Sequence, residues 1–380
     1  MVTDLLHRRH ALALLGGLGA CVIAPSAAFA KAGERVQLAA AWERQGSFYI
    51  GLLSTREGAG QALQIHAALE VPTRAHGLCV LADGSVLATA RRPGDWLVRW
   101  HPAKAAEPQW LWQEGERSFN GHVLASADGG QLYTTETDAE TGASSMVVRD
   151  ARTLAKTVEW PTHGIDAHEL VWDTQVGKNQ SGGAPTLIVA NGGVPTTPET
   201  GRVKRNLVTM DSSLVRLDAR TGKLLGQWRL QDPRLSLRHL AWNPDGTTLG
   251  IALQAEHDDP AAKDTAPVLA LFDGTALRVV AAPQPTAHSL RGYGGSIAAT
   301  PTGWAVSCPR AHGIATFSLQ GGWQGLVPLP EVCALAMRGG ALWAGGLASS
   351  LQDVQAPAPW THPHGQALLG ARLDNHWVVA

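Results

Sequence analysis

Four histidines stand at matching places along this chain. His76, His122, His168 and His239 each precede the second residue of a turn pair by six to eight residues, the pairs being Asp83-Gly84, Asp128-Gly129, Asp173-Thr174 and Asp245-Gly246. Neutral imidazole is a ligand for borderline metals such as iron, zinc and copper. It also serves as a haem axial ligand or as a general base. A histidine at such a place has a competing structural role, the hydrogen bonding of a neighbouring turn. Four in equivalent places form a group that could act together.

The elements that must position them repeat. His76 to Ala82, a turn at Asp83-Gly84 and Ser85 to Ala90 make one apolar hairpin, and Val123 to Ala127 with Gln131 to Thr135 make the next. Further turns fall at Asp173-Thr174, Asp245-Gly246, Thr302-Gly303, Arg338-Gly339 and Asp374-Asn375. Asp-Gly and related pairs supply the positive φ of two-residue hairpins. The intervals average about 48 residues, the spacing of four-stranded propeller blades. The two long intervals hold Gly-, Pro- and Asp-rich insertions at 176–206 and 255–266. The reading is an all-β, seven-bladed β-propeller over 31–380, with six or eight blades as alternatives and a β-sandwich as the rival fold. N-terminal strands at 36–42, 48–54 and 61–69 complete the last blade with a C-terminal hairpin at 366–380. Ring closure of this kind removes exposed sheet edges.

In such a ring the first strand of each blade lines the channel. Its start shares a face with the loop after the second strand. That places His76, His122, His168 and His239 at one mouth as candidate metal ligands, with His364 in the corresponding region of the last unit. The loops add Arg91-Arg92, Glu136 with Asp138, Asn191, His257 with Asp258, and Arg310. His163 and Glu169 flank His168. Arg202, Lys204 and Arg205 lie in the 194–206 loop, where they could meet an anion or simply face solvent. No Gly-x-Ser-x-Gly elbow, His-Glu-x-x-His motif or Cys-x-x-Cys pair occurs.

Composition narrows the classes. Lys and Arg total 31 against 32 Asp and Glu, so no basic excess exists to neutralise nucleic-acid phosphates. With 44% hydrophobic residues, the chain can bury a large core.

The first thirty residues read as an export signal: Arg8-Arg9, the mild apolar run Ala11 to Ala24, Pro25, and Ser26 to Ala30. The paired arginines point to the twin-arginine route and a periplasmic protein. Lipidation at Cys21 is the alternative. No later segment is long and apolar enough to span a membrane as a helix. Beyond the leader stand Cys79, Cys308 and Cys333. At most one internal disulfide can form, with Cys308 and Cys333 the nearer pair in repeat order and burial of all three as free thiols the default.

The chain resembles the exported proteobacterial family called domain of unknown function 1513. The resemblance rests on Arg74-Ala75-His76-Gly77, Ala90-Arg91-Arg92-Pro93-Gly94, Phe119-Asn120-Gly121-His122 and Tyr133-Thr134-Thr135-Glu136. It continues through Thr162-His163-Gly164, His168-Glu169-Leu170, Val189-Ala190-Asn191-Gly192-Gly193, Leu235 to Ala241, Gly292-Tyr293 and Asp374-Asn375-His376. Thr197 and Val123 depart from the family pattern, and the first departure weakens a ligand role for the long loop. The resemblance implies YVTN- or WD40-like blades. It also implies genes beside imelysin-like iron-regulated proteins and a dihaem oxidoreductase, which makes those the expected partners.

Three functions follow as expectations. The leading one is a non-enzymatic binding protein of iron acquisition, holding iron, another transition metal or haem at the mouth. The second is a hydrolase or lactonase with His168 and Glu169 or Glu136 as base. The third is a scaffold that docks partners through the long 176–206 loop.

Overall fold

The computed structural model describes residues 33–58, 60–175, 185–194, 207–281 and 290–380. The proposed leader and Cys21 lie outside them, as do 176–184 and 195–206 of the long insertion. Of that insertion, the strand Thr186–Asn191 is described.

Short strands joined by tight turns fill the chain. β1 (Arg35–Arg44), β2 (Ser47–Arg56) and β3 (Gln64–Val71) come first. β4 (Ala75–Val80), β5 (Val86–Ala90), β6 (Trp96–Trp100) and β7 (Gln109–Trp112) form the first complete sheet. The second holds β8 (Arg117–Ala125), β9 (Gln131–Asp138), β10 (Ser144–Asp150) and β11 (Lys156–Pro161). The third holds β12 (Ala167–Trp172), β13 (Thr186–Asn191), β14 (Ser213–Asp218) and β15 (Leu224–Trp228). Next come β16 (Leu235–Trp242), β17 (Leu249–Ala255), β18 (Leu269–Phe272) and β19 (Leu277–Val279). A fifth sheet follows with β20 (Ser296–Thr300), β21 (Gly303–Cys308), β22 (Gly313–Ser318) and β23 (Trp323–Pro328). β24 (Ala334–Arg338), β25 (Ala341–Gly345), β26 (Ser349–Gln352) and β27 (Trp360–Pro363) precede the terminal β28 (Arg372–Val379). A single helical turn, α1 (Pro260–Thr265), sits in the second insertion, with the Asp259 side chain accepting from Ala261 and Ala262 N–H.

Each complete sheet pairs in chain order, and consecutive strands run antiparallel. The sheet containing both chain ends runs β27-β26-β25-β24-β28-β1-β2-β3. Its two halves meet through the parallel pairing Leu335↔His376 on the inner strands and the isolated parallel bridge Leu63↔His364 on the outer side. Taken as two halves, it gives with the other five sheets seven four-stranded units among the described residues. This is the repeated-sheet architecture of a β-propeller.

Ring closure differs from the sequence expectation in one respect. The C-terminus contributes a single strand, not a hairpin: β28 runs unbroken through Asp374-Asn375, which is therefore not a turn. It pairs antiparallel with β1 from Leu38↔Val379 to Glu43↔Arg372. Asp173-Thr174 opens a longer connection from Trp172 to Thr186, of which 176–184 lie outside the described residues. The turns at Asp83-Gly84, Asp128-Gly129 and Asp245-Gly246 fall where their residue pairs place them, and those at Thr302-Gly303 and Arg338-Gly339 fall within one residue, at Pro301-Thr302 and Gly339-Gly340. At the first, Gly84 takes φ +80° and the Asp83 carboxylate accepts from the Ser85 N–H at 3.0 Å.

The core lies in wedges between neighbouring sheets. Ala39, Ile50 and Val71 of one sheet pack against Val86, Ala88 and Trp96 of the next, and Leu269 and Leu271 meet Trp304, Val306 and Phe317. Trp96, Trp304 and Trp343 are completely buried. Burying a large apolar side chain contributes about 1.5–3 kcal/mol, so each wedge holds its two sheets in fixed relation around the axis.

Cys79, Cys308 and Cys333 are free thiols. Burial pushes Cys308 and Cys333 up to about 12, which leaves both protonated and unreactive at neutral pH.

Candidate metal centre on the propeller axis

The innermost strands of the seven units are β4, β8, β12, β16, β20, β24 and β28. Five of them bear a histidine on the axis, and in all five the ladder to the neighbouring strand breaks register at or beside it. Ala75 and Leu78 flank the break at His76, and Phe119 and Val123 the one at His122. Ala167 and Leu170 flank His168, and Leu237 and Leu240 flank His239. In β28 the break spans Leu373 to Trp377 and contains His376. The ladders of β20 and β24 run without a break.

A bulge adds unpaired residues to one strand, bends it and re-aims its side chains. Here the inner strand carries the extra residues each time. A regular strand alternates its side chains between two sheet faces, which here are the packed wedges. The bulge turns the imidazole out of that alternation and onto the axis.

Backbone freed by the bulges is satisfied across blades. The Asn120 amide donates to the Ala167 carbonyl at 2.8 Å, and the Thr135 hydroxyl donates to the His168 carbonyl at 2.8 Å. Gly121 has φ +101°, and a Cβ there would stand 2.8 Å from Cδ2 of His76. Glycine thus lets two neighbouring bulges close on one another.

The five rings form one cluster. Nine of the ten ring pairs are in contact, with centroid separations from 4.5 Å for His239–His376 to 5.7 Å for His76–His239. One donor nitrogen from each of His76, His122, His168 and His239 lies within 4.8 Å of all the others. Both nitrogens of His76 and of His239 are buried without a hydrogen-bond partner, as are Nε2 of His122, Nδ1 of His168 and Nε2 of His376. Burial pushes all five below the usual histidine range, to about 3 for His239 and about 4 for His376, and leaves them neutral at pH 7.

An unpaired buried polar group costs about 1–3 kcal/mol. A cluster of neutral donors without protons to accept is therefore expensive unless a cation fills it. Two nitrogens on one tetrahedral zinc-like ion stand about 3.4 Å apart, so the widest gap here, up to 4.8 Å, closes when the two rings concerned draw together by about 1.4 Å. The donor set fits a borderline divalent ion. Haem fits poorly, because rings in mutual contact leave no slot for a porphyrin between them.

Carboxylates support the ring from outside. Glu169 places its oxygens 3.9 Å from Nδ1 of His122 and 3.5 Å from Nδ1 of His239, and accepts from the Leu240 N–H at 2.7 Å. Burial raises its carboxyl to about 7, against the opposing pull of His376 and the Leu240 N–H. Asp374 stands 3.6 Å from Nδ1 of His76 and pairs with Arg74 and Arg91. Carboxylates beside imidazoles are the usual outer partners of histidine metal ligands.

Two cavities meet at the ring. One, of about 190 Å³, is lined by His76, His168 and His239 together with Arg91, Arg92, Arg238 and Arg310. The other, of about 330 Å³, reaches His122, His239, His376 and Glu169 through apolar walls that include Leu78, Leu170, Leu335 and Trp377.

Of the sequence candidates, His76, His122, His168, His239 and Glu169 come together at the ring, and Arg91 and Arg310 line the smaller cavity. Glu136 does not join them. It lies on the second strand of its unit, where its carboxylate pairs with Arg149 at 2.6 Å and accepts from Gln113 at 2.9 Å. The hydrolase reading thereby loses one of its two candidate bases. Asn191 is fully buried and braces the loop at Thr162, donating to the Thr162 carbonyl at 3.0 Å. His163 is exposed on that loop with φ +54°. His364 stands apart, its Nε2 3.0 Å from the Ser350 hydroxyl between β26 and β27. His257 faces Asp232 at 2.9 Å.

The missed member is His376. The turn-spacing rule could not find it, because the partner of its strand is β1, at the opposite end of the chain. The triplet Asp374-Asn375-His376, in which a polar residue precedes the histidine as in Arg238-His239, was the available signal. Arg238 and Asp166 were missed as well. They pair at 2.8 Å across two blades.

Residues 69–380 match the family described as "Protein of unknown function (DUF1513)". No curated protein matches the chain in sequence. Among solved structures, a chain of Kuenenia stuttgartiensis hydrazine synthase aligns with TM-score 0.56 at 13% identity, covering 84% of this chain and 92% of that one. A chain of a mitotic checkpoint complex aligns with TM-score 0.51 at 14% identity, covering 77% and 78%. The Dos1 propeller gives TM-score 0.49 at 10% identity over 82% and 79%. At such identities the likeness concerns the fold alone.

Proposed function

This chain belongs to the DUF1513 family of proteins of unknown function, and from that premise we propose that it binds one transition-metal ion at its ring of buried histidines. The carrying observation is the set of four imidazole nitrogens within 4.8 Å of one another, in rings with unpartnered buried nitrogens. His76, His122, His168 and His239 would be the ligands, and His376 joins them as a fifth candidate. Imidazole without thiolate suits divalent iron, copper, zinc or nickel. The ion would supply a fixed positive charge on the axis, and Glu169 and Asp374 would orient and polarise the rings around it.

We place the protein in the periplasm, exported folded by the twin-arginine route, on the strength of Arg8-Arg9 and the apolar run behind them. Iron is the favoured cargo, with imelysin-like proteins or a dihaem oxidoreductase as exchange partners. That part of the reading is supported by the genes expected beside the family. The role is binding rather than turnover: Glu136, one of the two candidate bases of the hydrolase alternative, is held in its ion pair with Arg149.

The test is metal content of protein exported through its own signal and purified without chelator, beside titration of metal-free protein with Fe(II), Cu(II) and Zn(II). About one equivalent per chain is expected. His122→Ala with His168→Ala should abolish it. Because these imidazoles are unpartnered when metal-free, their loss should leave the thermal midpoint of the metal-free protein unchanged or raised. Unchanged metal binding in the double variant would overturn the proposal, and so would the absence of binding by all three ions.

A further inference from the structure

The smaller cavity differs from an ordinary approach to a metal centre in its wall chemistry. Four arginines line it, Arg91, Arg92, Arg238 and Arg310, with Glu256 and three of the ring histidines. We infer that this cavity is an anion site, built to hold a small oxyanion of the carboxylate or phosphate class directly over the histidine ring.

Arg238 carries the argument. Its side chain is 1% exposed, yet only Nη1 has a partner, Asp166 at 2.8 Å, while Nε and Nη2 are buried without one. A guanidinium in such a place offers paired donors to a planar or tetrahedral oxyanion. Burial of unsatisfied charged donors is costly, and an anion in the cavity removes that cost.

The local backbone is arranged to admit this guanidinium. A Cβ at Gly192 would stand 2.6 Å from Nη1 of Arg238 and 2.7 Å from the Asp166 carboxylate. Any other residue there would push the pair aside.

The remaining arginines point the same way. Arg92 pairs with Asp166 from another blade, and Arg91 with Asp374 at 3.2 Å. Both keep donors beyond those pairs, since a guanidinium has five N–H groups. Arg310 is exposed at the rim, its guanidinium carbon 4.3 Å from the centroid of the Tyr293 ring, a cation–π contact that leaves its N–H groups without an ion-pair partner among the described residues. With Arg74 counted beside Asp374, the guanidinium groups outnumber Asp166, Glu256 and Asp374. Five guanidinium groups against three carboxylates leave a positive excess around the cavity. Its volume of about 190 Å³ admits a phosphate or a small polycarboxylate.

The inference stands on the arginines and does not require the ring to hold a metal, so it is tested on metal-free protein. Inorganic phosphate and citrate are titrated separately by calorimetry at low salt. Saturable binding at one equivalent, tighter than about 1 mM, is expected for at least one, and the tighter of the two identifies the source class. Arg310→Gln at the exposed rim and Arg92→Gln should each weaken it by about tenfold or more. Arg238→Gln should abolish it, and the two rim-side variants decide the matter if that one fails to fold. Absence of saturable binding by both anions would overturn the site, and equal affinity in Arg310→Gln and Arg92→Gln would do the same. Neither result bears on metal titration of the ring.

Discussion

Five inner strands of this propeller are bent and two are straight, although all seven belong to units of the same four-stranded plan. The straight ones, β20 and β24, bring Ser296, Ile297 and Leu335 to the axis, and their ladders are unbroken. The bent ones each give up regular pairing at a histidine. Disrupting a ladder five times at one level of one structure has no benefit for packing. The difference teaches that the axis has two sectors: a wall that closes the channel, and an arc that presents imidazole.

The largest expected effect that separates the sectors is acid destabilisation of metal-free protein. Once unfolded, the ring histidines take up protons below about pH 6.5. In the fold, His239 and His376 stay neutral down to about 3 and about 4. Between those limits the unfolded chain binds more protons, so stability falls as pH falls, by up to about 1.4 kcal/mol per pH unit for each histidine. Thermal midpoints from pH 7 to pH 4.5 should drop steeply in the metal-free wild type. They should drop less after His122→Ala with His168→Ala. Equal slopes in the two would break the comparison.

Gly121→Ala comes next. It forces an L residue to φ +101° and drives its Cβ against the His76 ring, so a loss of about 2 kcal/mol is expected. Metal affinity should fall with it. Gly340→Ala supplies the control: it sits in the turn of a straight unit at φ +86° with open space around it, and there the backbone cost should appear without the loss of affinity. Denaturant melts and metal titrations of the pair check this.

The narrowest effect belongs to Glu169→Gln, which should act on metal affinity alone. The carboxylate beside His122 and His239 becomes an amide of the same shape. Affinity should fall by about 10- to 100-fold through the outer shell alone, with the fold unchanged. Affinity within twofold of wild type would assign Glu169 to capping the Leu240 N–H only.

Much of the architecture was legible before any coordinates. Asp-Gly pairs at near-regular intervals mark hairpins because their backbone preferences are local, and five of the seven turns fall within one residue of those pairs. Four ring histidines were legible for the same reason: each lies a fixed few residues before its own turn. Asp374-Asn375 misled because its residue types favour a turn, while pairing of the flanking Leu373 and Trp377 with β1 makes it a bulge within a continuous strand. Glu136 misled because strand position says which loop a residue approaches, and not that Arg149 is waiting inside the sheet.

By itself, then, the sequence determined the repeat, the class of fold and the presence of histidine at equivalent places, all of which depend on contacts within one hairpin. The tertiary structure decided the rest. It brought His376 to the ring from the far end of the chain, set Glu169 against histidines of two other blades, and joined Asp166 to Arg92 and Arg238 across the axis. Those contacts exist only once the ring has closed, since closure alone fixes the distance between blades, and no local spacing encodes it.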